Sequence, residues 1–467
     1  MLWMSLKQLQ VKMEVKPSMK KLAICIPTYQ NGEYIEDRIT EEMKFYIENN
    51  ISLYIVDSSE DDRTKEVVEK YKADYSNLYY IRFPSDMHSN AKVYQIYQKA
   101  GKEIPCDYIW VRSDALWCHE RLLKVIMTYL EEDYDFLLTT PAGAVFEKGI
   151  YETHDIQGFF EERAWQTCLY GAMIVNVNSI LVGADWSYLE NRYLVPDRIN
   201  FSHVCMYFER LKQLKNPHLL VMDLPQFLYC GRKKIFSTWH KEIFDLWLKR
   251  WPNAILSLPD SYENKLVAIR NFGINENYYK PAFLRTIKKQ GIFTREAFKK
   301  YEKEIEAYSG VGSEVFLQVL NEKVTSIEKN DYRSNEYKAL KEFVEACERI
   351  VIYGCGKRAT RYAEYLIAID EDFDAFVVST DQEAKSKNHC LSHKVVAADT
   401  YDFSDDVGIV LGLNSQYQTE VITRLMEMGI DASRHVFAYP NPVSYIGRIW
   451  QVLDARLEFC GKQNQMD

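Results

Sequence analysis

The sequence predicts an α/β protein: a mostly parallel sheet with helices on both faces, a helical middle region, and a small second α/β unit. Three observations predict it. From about residue 20 to 230, short apolar runs alternate with helical patterns, the order of a parallel sheet built by crossovers. Residues 231–345 turn to Lys, Glu, Tyr and Phe at helical spacing, with Trp239, Trp247 and Trp251 among them. At Arg349 the strand–helix alternation resumes.

The first unit reads as strand Leu22–Pro27, helix Glu33–Asn49 with Ile35, Ile39, Met43 and Tyr46 on one face, and strand Leu53–Asp57. Helix Arg63–Tyr75 follows a polar start signal, then strand Leu78–Phe83, helix Asn90–Gly101, strand Tyr108–Val111 and helix Glu120–Glu131. The second unit reads as strand Ile350–Tyr353, a helix over 358–368, strands Phe373–Val378 and Gly408–Leu411, helix Tyr417–Met428 and strand His435–Ala438. Residues 1–19 read as a polar leader, and Tyr445–Phe459 as an amphipathic helix. The resulting division is 20–230, 231–345, 346–440 and a tail 441–467, in keeping with domains of about 100–200 residues.

A net charge of −9 excludes a nucleic-acid binder, since phosphate recognition needs a basic footprint; Arg232, Lys233 and Lys234 form one local basic patch. The ten cysteines show no CxxC pair, and the N-terminal segment lacks the apolar core of a signal peptide. Reduced thiols in the cytoplasm are expected. No apolar run approaches the roughly 20 residues that span a bilayer. His389, Cys390 and His393 lie close together without a fourth ligand, so a surface loop is expected there and not a zinc site. The 33 tyrosines suit an aromatic core and also suit stacking on sugars and bases.

In a parallel sheet, ligands sit beyond the carboxyl ends of the strands. Three loops there carry chemistry: Pro27-Thr28-Tyr29-Gln30-Asn31, Asp57-Ser58-Ser59-Glu60-Asp61-Asp62-Arg63-Thr64, and Arg112-Ser113-Asp114-Ala115. A carboxylate such as Asp57 accepts hydrogen bonds from a base N–H or a ribose hydroxyl. A diphosphate needs a divalent metal or cations, and Asp114 is placed to offer a hard oxygen ligand.

The run Leu22 to Tyr29, a helix, and then Leu53-Tyr-Ile-Val-Asp57 through Asp62-Arg63-Thr64 resembles family 2 glycosyltransferases of the GT-A fold, over about residues 21–250. The resemblance implies that Pro27, Thr28, Tyr29, Asn31, Asp57, Ser58, Asp62, Arg112 and Ser113 surround the donor nucleotide, with UDP-sugars favoured, and that the reaction inverts the anomeric centre. The sequence departs from the family at the metal position, where one carboxylate, Asp114, remains. Either a divalent cation (Mn2+ or Mg2+) on Asp114, with His240 closing over it, or the charge of Arg112 would steady the diphosphate.

The family's catalytic aspartate falls at His203 in Phe201-Ser202-His203. A histidine can serve as base near neutral pH; Asp197 is the competing base, and a structural histidine on a helix face is the alternative. This variant, with Ser237-Thr238-Trp239-His240 and Leu258–Tyr262 downstream, is similar to the abequosyltransferase-like branch. In the last unit Tyr353-Gly354-Cys355-Gly356-Lys357-Arg358-Ala359 has the shape of a phosphate-binding turn at a helix N-terminus. Gly354, Gly356 and Lys357 are the residues such a second nucleotide site would use, but a scaffold or oligomerisation role is favoured for this Rossmann-like unit.

The expected activity is hexosyl transfer from a nucleoside diphosphate-sugar to a hydroxyl of a glycan or glycoprotein. The alternative is a degenerate partner or binding subunit of a transferase complex. Peripheral membrane contact and a homo-oligomer complete the expectations. A sugar nucleotidyltransferase is disfavoured, because Pro27–Gly32 lacks the Gly-rich basic loop that such chemistry needs.

Overall fold

The computed structural model describes residues 20–140, 149–223, 229–231, 239–275, 277–322, 335–369, 371–387, 389–391, 393–403 and 407–439. The leader 1–19, the basic patch 232–234, Ser237-Thr238 and the tail 441–467 lie outside them.

The first unit runs β1 (Leu22–Thr28), α1 (Gly32–Glu48), β2 (Ser52–Asp57), α2 (Arg63–Tyr71), β3 (Leu78–Arg82), α3 (Ser89–Ala100) and β4 (Tyr108–Val111). It continues through β5 (Leu116–Cys118), α4 (Glu120–Leu130), β6 (Phe136–Thr140), β7 (Ile150–Thr153), α5 (Ile156–Arg163), β8 (Met173–Asn176), α6 (Trp186–Tyr193), α7 (Ser202–Gln213), β9 (Leu219–Asp223) and β10 (Tyr229–Gly231). Eight strands form one sheet in the order β3-β2-β1-β4-β8-β6-β9-β7. β1 to β4 are parallel to one another; β8 runs antiparallel to both β4 and β6. β1 is apolar and almost wholly buried from Leu22 to Ile26, as a strand covered on both faces must be. β5 and β10 pair as a small antiparallel ribbon beside the end of β4.

Helix α2 stops at Tyr71, four residues short of the sequence expectation. Residues beyond it turn so that Tyr75 is buried and its hydroxyl donates to the Ile51 carbonyl, a tertiary bond that a continued helix would forfeit. Strands β6, β8 and β9 were not separated in the sequence. Their apolar runs are short, and periodicity alone does not divide strand from buried helix in such runs.

The middle region is helical: α8 (Ile243–Asp245) passes through a π-turn at Leu246–Arg250 into α9 (Trp251–Leu256), followed by α10 (Lys265–Asn275), α11 (Pro281–Lys289), α12 (Arg295–Tyr308) and α13 (Ser313–Asn321). Trp247 stacks on Phe272 at 3.5 Å, and Phe201 of the first unit packs on Trp251 at 5.0 Å. One continuous core joins these helices to α5 and α7, which closes one face of the first sheet.

After α14 (Asn335–Val344) come β11 (Arg349–Tyr353), α15 (Lys357–Ala368), β12 (Phe376–Val378), α16 (Asp381–Lys387), β13 (His389–Cys390), β14 (His393–Ala397), β15 (Val407–Leu411), α17 (Ser415–Glu427), α18 (Ala432–His435) and β16 (Val436–Phe437). They build a second, smaller sheet of order β13-β14-β12-β11-β15-β16, parallel except for β13. The expected loop at His389–His393 is a hairpin: β13 pairs antiparallel with β14, and the His393 ring stacks on Phe373 at 3.9 Å. β12 begins at Phe376, not Phe373, because Phe373 turns in to pack edge-on against Phe376. The overall class, a parallel-dominant α/β sheet followed by helices and a smaller parallel sheet, is the one expected.

Candidate active site

The ends of β1 and β2 lie in register, Thr28 beside Asp57. Asp57 has no exposed surface. Its Oδ1 accepts from the Ser59 amide at 2.8 Å and the Ser59 hydroxyl at 2.5 Å. Its Oδ2 accepts from the Tyr80 hydroxyl at 2.8 Å and Arg82 Nη1 at 3.1 Å. Arg82 also donates to the Asp61 carbonyl at 2.9 Å and lies 3.5 Å from Asp62 Oδ1. A buried carboxylate is tolerable with this complement of charged and neutral donors. Asp57 therefore shapes the Ser58–Asp62 turn, whose exposed residues are Glu60 and Asp62, with the partly exposed Arg82 of β3 lying against it.

Lys92 of α3 reaches into the same corner. Its side chain is buried; Nζ donates to the Thr28 carbonyl at 2.8 Å and to Ser58 Oγ at 2.5 Å. This cation was missed in the sequence. The signal was present: helical spacing puts Lys92 beside Val93 and Ile96 on the buried face, where a lysine needs a reason to be.

The third loop supplies the centre. Asp114 Oδ2 accepts from Thr28 Oγ1 at 3.1 Å and from Asn31 Nδ2 at 2.7 Å, and Ser113 Oγ lies 3.4 Å from Oδ1. The loops after β1 and β4 are thus tied through one carboxylate. Pro27 is half-buried and Tyr29 is exposed at the rim. On the neighbouring wall, Tyr170 donates to Asn90 Oδ1 at 2.5 Å, and His88 caps α3 by accepting from the Asn90 amide at 3.2 Å.

Two expectations are corrected here. Arg112 points away from the site: its guanidinium is wholly buried, pairs with Glu42 through Nη2 at 2.9 Å and Nη1 at 3.4 Å, and lies over the Trp110 ring. Side chains alternate across a strand, and as β4 ends the next residue after Val111 falls on the α1 side. Its charge is neutralised by Glu42 and does not reach a diphosphate. His203 is likewise inside the core, between Tyr170 and Tyr207, with Nε2 3.4 Å from the Cys168 carbonyl and Nδ1 unpartnered among the described residues. Burial pushes its pKa down to about 4, which makes it a weak base at neutral pH. Asp197 instead lies exposed in the turn that leads into α7.

The histidine has a measurable consequence. An unfolded chain protonates it near pH 6.5, the folded chain near 4. Between these values the unfolded state binds more protons, so stability falls as pH drops through the window, by up to about 3 kcal/mol, and above it the effect vanishes. Urea unfolding at pH 7 and pH 4.5 is expected to show this loss in the parent and a smaller one in His203→Gln. Equal losses in both would show that the imidazole stays out of the titration.

Asp114 is a partial fit to a divalent metal. Its neighbours Arg112, Ser113, Ala115 and Leu116 include no second carboxylate, and no group of three His, Cys, Asp or Glu among the described residues is arranged to hold a metal. A cation there would rely on Asp114 together with the diphosphate oxygens and water, a ligand set that magnesium accepts. The side chain of His240 lies outside the described part of the structure.

In the second sheet, Gly354 follows β11 with φ +102°, and a Cβ there would lie 2.7 Å from Leu413. Gly356 caps α15 and faces open space, and Lys357 is exposed. Arg358 is spent inside the unit on Glu336, Tyr362 and the Tyr439 carbonyl.

The ends of β1, β2 and β4 present polar loops to one shared corner, the edge at which ligands sit in open α/β sheets. Residues 23–178 match the family model described as Glycosyl transferase family 2. No curated protein sequence matches the chain. Among solved structures it is similar to S. aureus TarS at 14% identity, covering 55% of this chain and 43% of that one, with a TM-score of 0.38; it thus spans less than half of TarS. Mannosyltransferase PcManGT from Pyrobaculum calidifontis is 10% identical over 67% of this chain and 90% of that one, with a TM-score of 0.35. Glucosyl-3-phosphoglycerate synthase from Mycobacterium tuberculosis is 10% identical over 52% and 82%, with a TM-score of 0.33. Among the described residues no helix is long and apolar enough to cross a membrane.

Proposed function

We propose that the protein transfers a sugar from a nucleoside diphosphate-sugar, UDP-sugars favoured, to a hydroxyl of a glycan or glycoprotein, with inversion. The observation that carries this reading is the junction of Thr28, Asn31 and Asp114 through one carboxylate at the corner where Asp57, Ser58 and Lys92 also meet. Thr28, Ser58 and the Asp57–Arg82 turn receive the nucleoside, with Tyr29 at the rim. Lys92 brings positive charge to the same corner. Asp114 stands at the diphosphate, where a divalent metal, when bound, would offset the charge of the leaving group.

Asp197 is the base in this reading. Its carboxylate takes the proton of the acceptor hydroxyl as that oxygen bonds to the anomeric carbon. The bond from that carbon to the diphosphate oxygen breaks, and its electron pair leaves with the nucleoside diphosphate. A single displacement needs one base and inverts the centre. The exposed position of Asp197 and the buried, weakly basic His203 support the choice between them.

The glycine turn at Gly354–Lys357 belongs, in this reading, to a scaffold or assembly unit of Rossmann-like form. A cytoplasmic site of action, peripheral membrane contact and the abequosyltransferase-like branch are parts of the same proposal. A binding subunit is the second reading, favoured by the single carboxylate at Asp114. Release of nucleoside diphosphate from a panel of nucleotide sugars, with and without manganese, separates the two. Turnover of one donor is expected; tight binding of a donor with no release, in the presence of glycan acceptors, would leave the binding subunit standing.

A further inference from the structure

We propose that Arg38 is a positioning residue for the diphosphate, fixing the loop that presents Asp114 from beneath. The inference rests on the transferase reading above and adds to it the part that holds the loop in place.

Arg38 belongs to α1 and is wholly buried. Its Nη2 donates to the Ser113 carbonyl at 2.9 Å, to the Asp114 carbonyl at 3.0 Å, and to the Leu116 carbonyl. Its Nε and Nη1 have no hydrogen-bond partner among the described residues, although Nη1 lies 3.6 Å from Glu42 Oε2. Glu42 is itself occupied: it accepts from both Nη atoms of Arg112, from the Tyr46 hydroxyl at 2.6 Å and from the Cys118 amide at 3.1 Å. The cluster therefore holds two guanidinium groups and the Glu42 carboxylate beneath residues 113–116, and the Asp114 carboxylate in the loop above is the second negative charge that Arg38 feels.

Burying such a cluster is costly, and apolar side chains of similar volume would often serve stability as well or better. Its location is what gives it a use. The C=O and N–H of a trans peptide point in opposite directions. With the carbonyls of Ser113 and Asp114 drawn down to Arg38, the amides of Asp114 and Ala115 are turned the other way. The loop is thus fixed before any ligand arrives, with its carbonyls held by a buried guanidinium. That is the arrangement that stabilises charge developing on a leaving group without reorganisation. It also suits a loop in which no second carboxylate flanks Asp114, since order that a more fully ligated metal would impose is supplied from below.

The test compares the full-length parent with Arg38→Gln and Arg38→Lys, using calorimetry with the monophosphate and diphosphate of whichever nucleoside the parent binds: UMP and UDP, CMP and CDP, or GMP and GDP. In folded Arg38→Gln, donor turnover is expected to fall by about tenfold or more. Diphosphate affinity should fall by about five- to tenfold, while monophosphate affinity stays within about twofold. Arg38→Lys keeps the charge but loses the planar fork, so it should fall between the two, and it carries the test if Arg38→Gln does not fold. Parent-like turnover with an unchanged diphosphate-to-monophosphate ratio in the folded variant overturns the proposal. Equal weakening of both nucleotides overturns it too, in favour of a general role in packing. A parent that binds none of these nucleotides and releases none from any donor sinks the transferase reading itself, a result distinct from either.

Discussion

Asp114→Asn is expected to lower donor turnover by about 10²–10³-fold, the usual loss when one electrostatic contact to the developing charge is removed, while leaving the fold intact. Asn is nearly isosteric, and its carbonyl oxygen can still accept from Thr28 Oγ1 and Asn31 Nδ2, the two donors that Asp114 Oδ2 now satisfies. What the substitution removes is the negative charge at the centre of the corner, together with any hard ligand for a cation. Nucleoside monophosphate binding should persist, because the Asp57–Ser59–Tyr80–Arg82 network is separate from this carboxylate. The measurements are turnover at saturating donor across a manganese titration, and a thermal melt to confirm folding. A folded Asp114→Asn protein with parent turnover would remove Asp114 from the reacting centre.

Glu42→Ala is expected to destabilise the protein by about 3–5 kcal/mol, the typical result of removing one partner from a buried ion pair. The carboxylate is nearly inaccessible, and despite its burial its pKa is held below the usual range by Arg112 and Arg38. Its loss leaves two guanidinium groups facing each other in the core, with the Tyr46 hydroxyl and the Cys118 amide also deprived of an acceptor. Urea unfolding should show a lower midpoint at an unchanged slope. Glu42→Gln, which restores an acceptor without the charge, should recover part of the loss. A change under about 1 kcal/mol in Glu42→Ala, within the range of exposed pairs, would mean that water or another group neutralises the two arginines.

Much of this corner was legible because its first two segments adjoin strong strands. Apolar runs ending at Pro27 and Asp57 locate the strand ends, and the sheet rule puts the following loops on one edge. Thr28, Asn31, Asp57 and Asp114 could be assembled from those facts alone. The roles of individual charges could not. Arg112 directly precedes Ser113 and Asp114 and reads as part of the same loop, yet it faces Glu42, 70 residues away. Lys92 and Arg38 look like ordinary helix residues, and each acquires its role from a carbonyl contributed by a distant segment.

His203 shows the same division. Its helix was readable from the spacing of Val204, Tyr207, Phe208 and Leu211, all buried in the structure. Its burial was not, because Cys168, Tyr170 and the helices after residue 243 close over this part of the core. The sequence by itself determined the class of sheet, the three converging loops and the likeness to a sugar-transferring family, since these follow from local periodicity and from residues next to strand ends. The tertiary structure decided which charges face the ligand and which are neutralised in the core. A side chain's charge state and reach depend on partners brought within about 3 Å by packing, and segments far apart in the chain supply those partners.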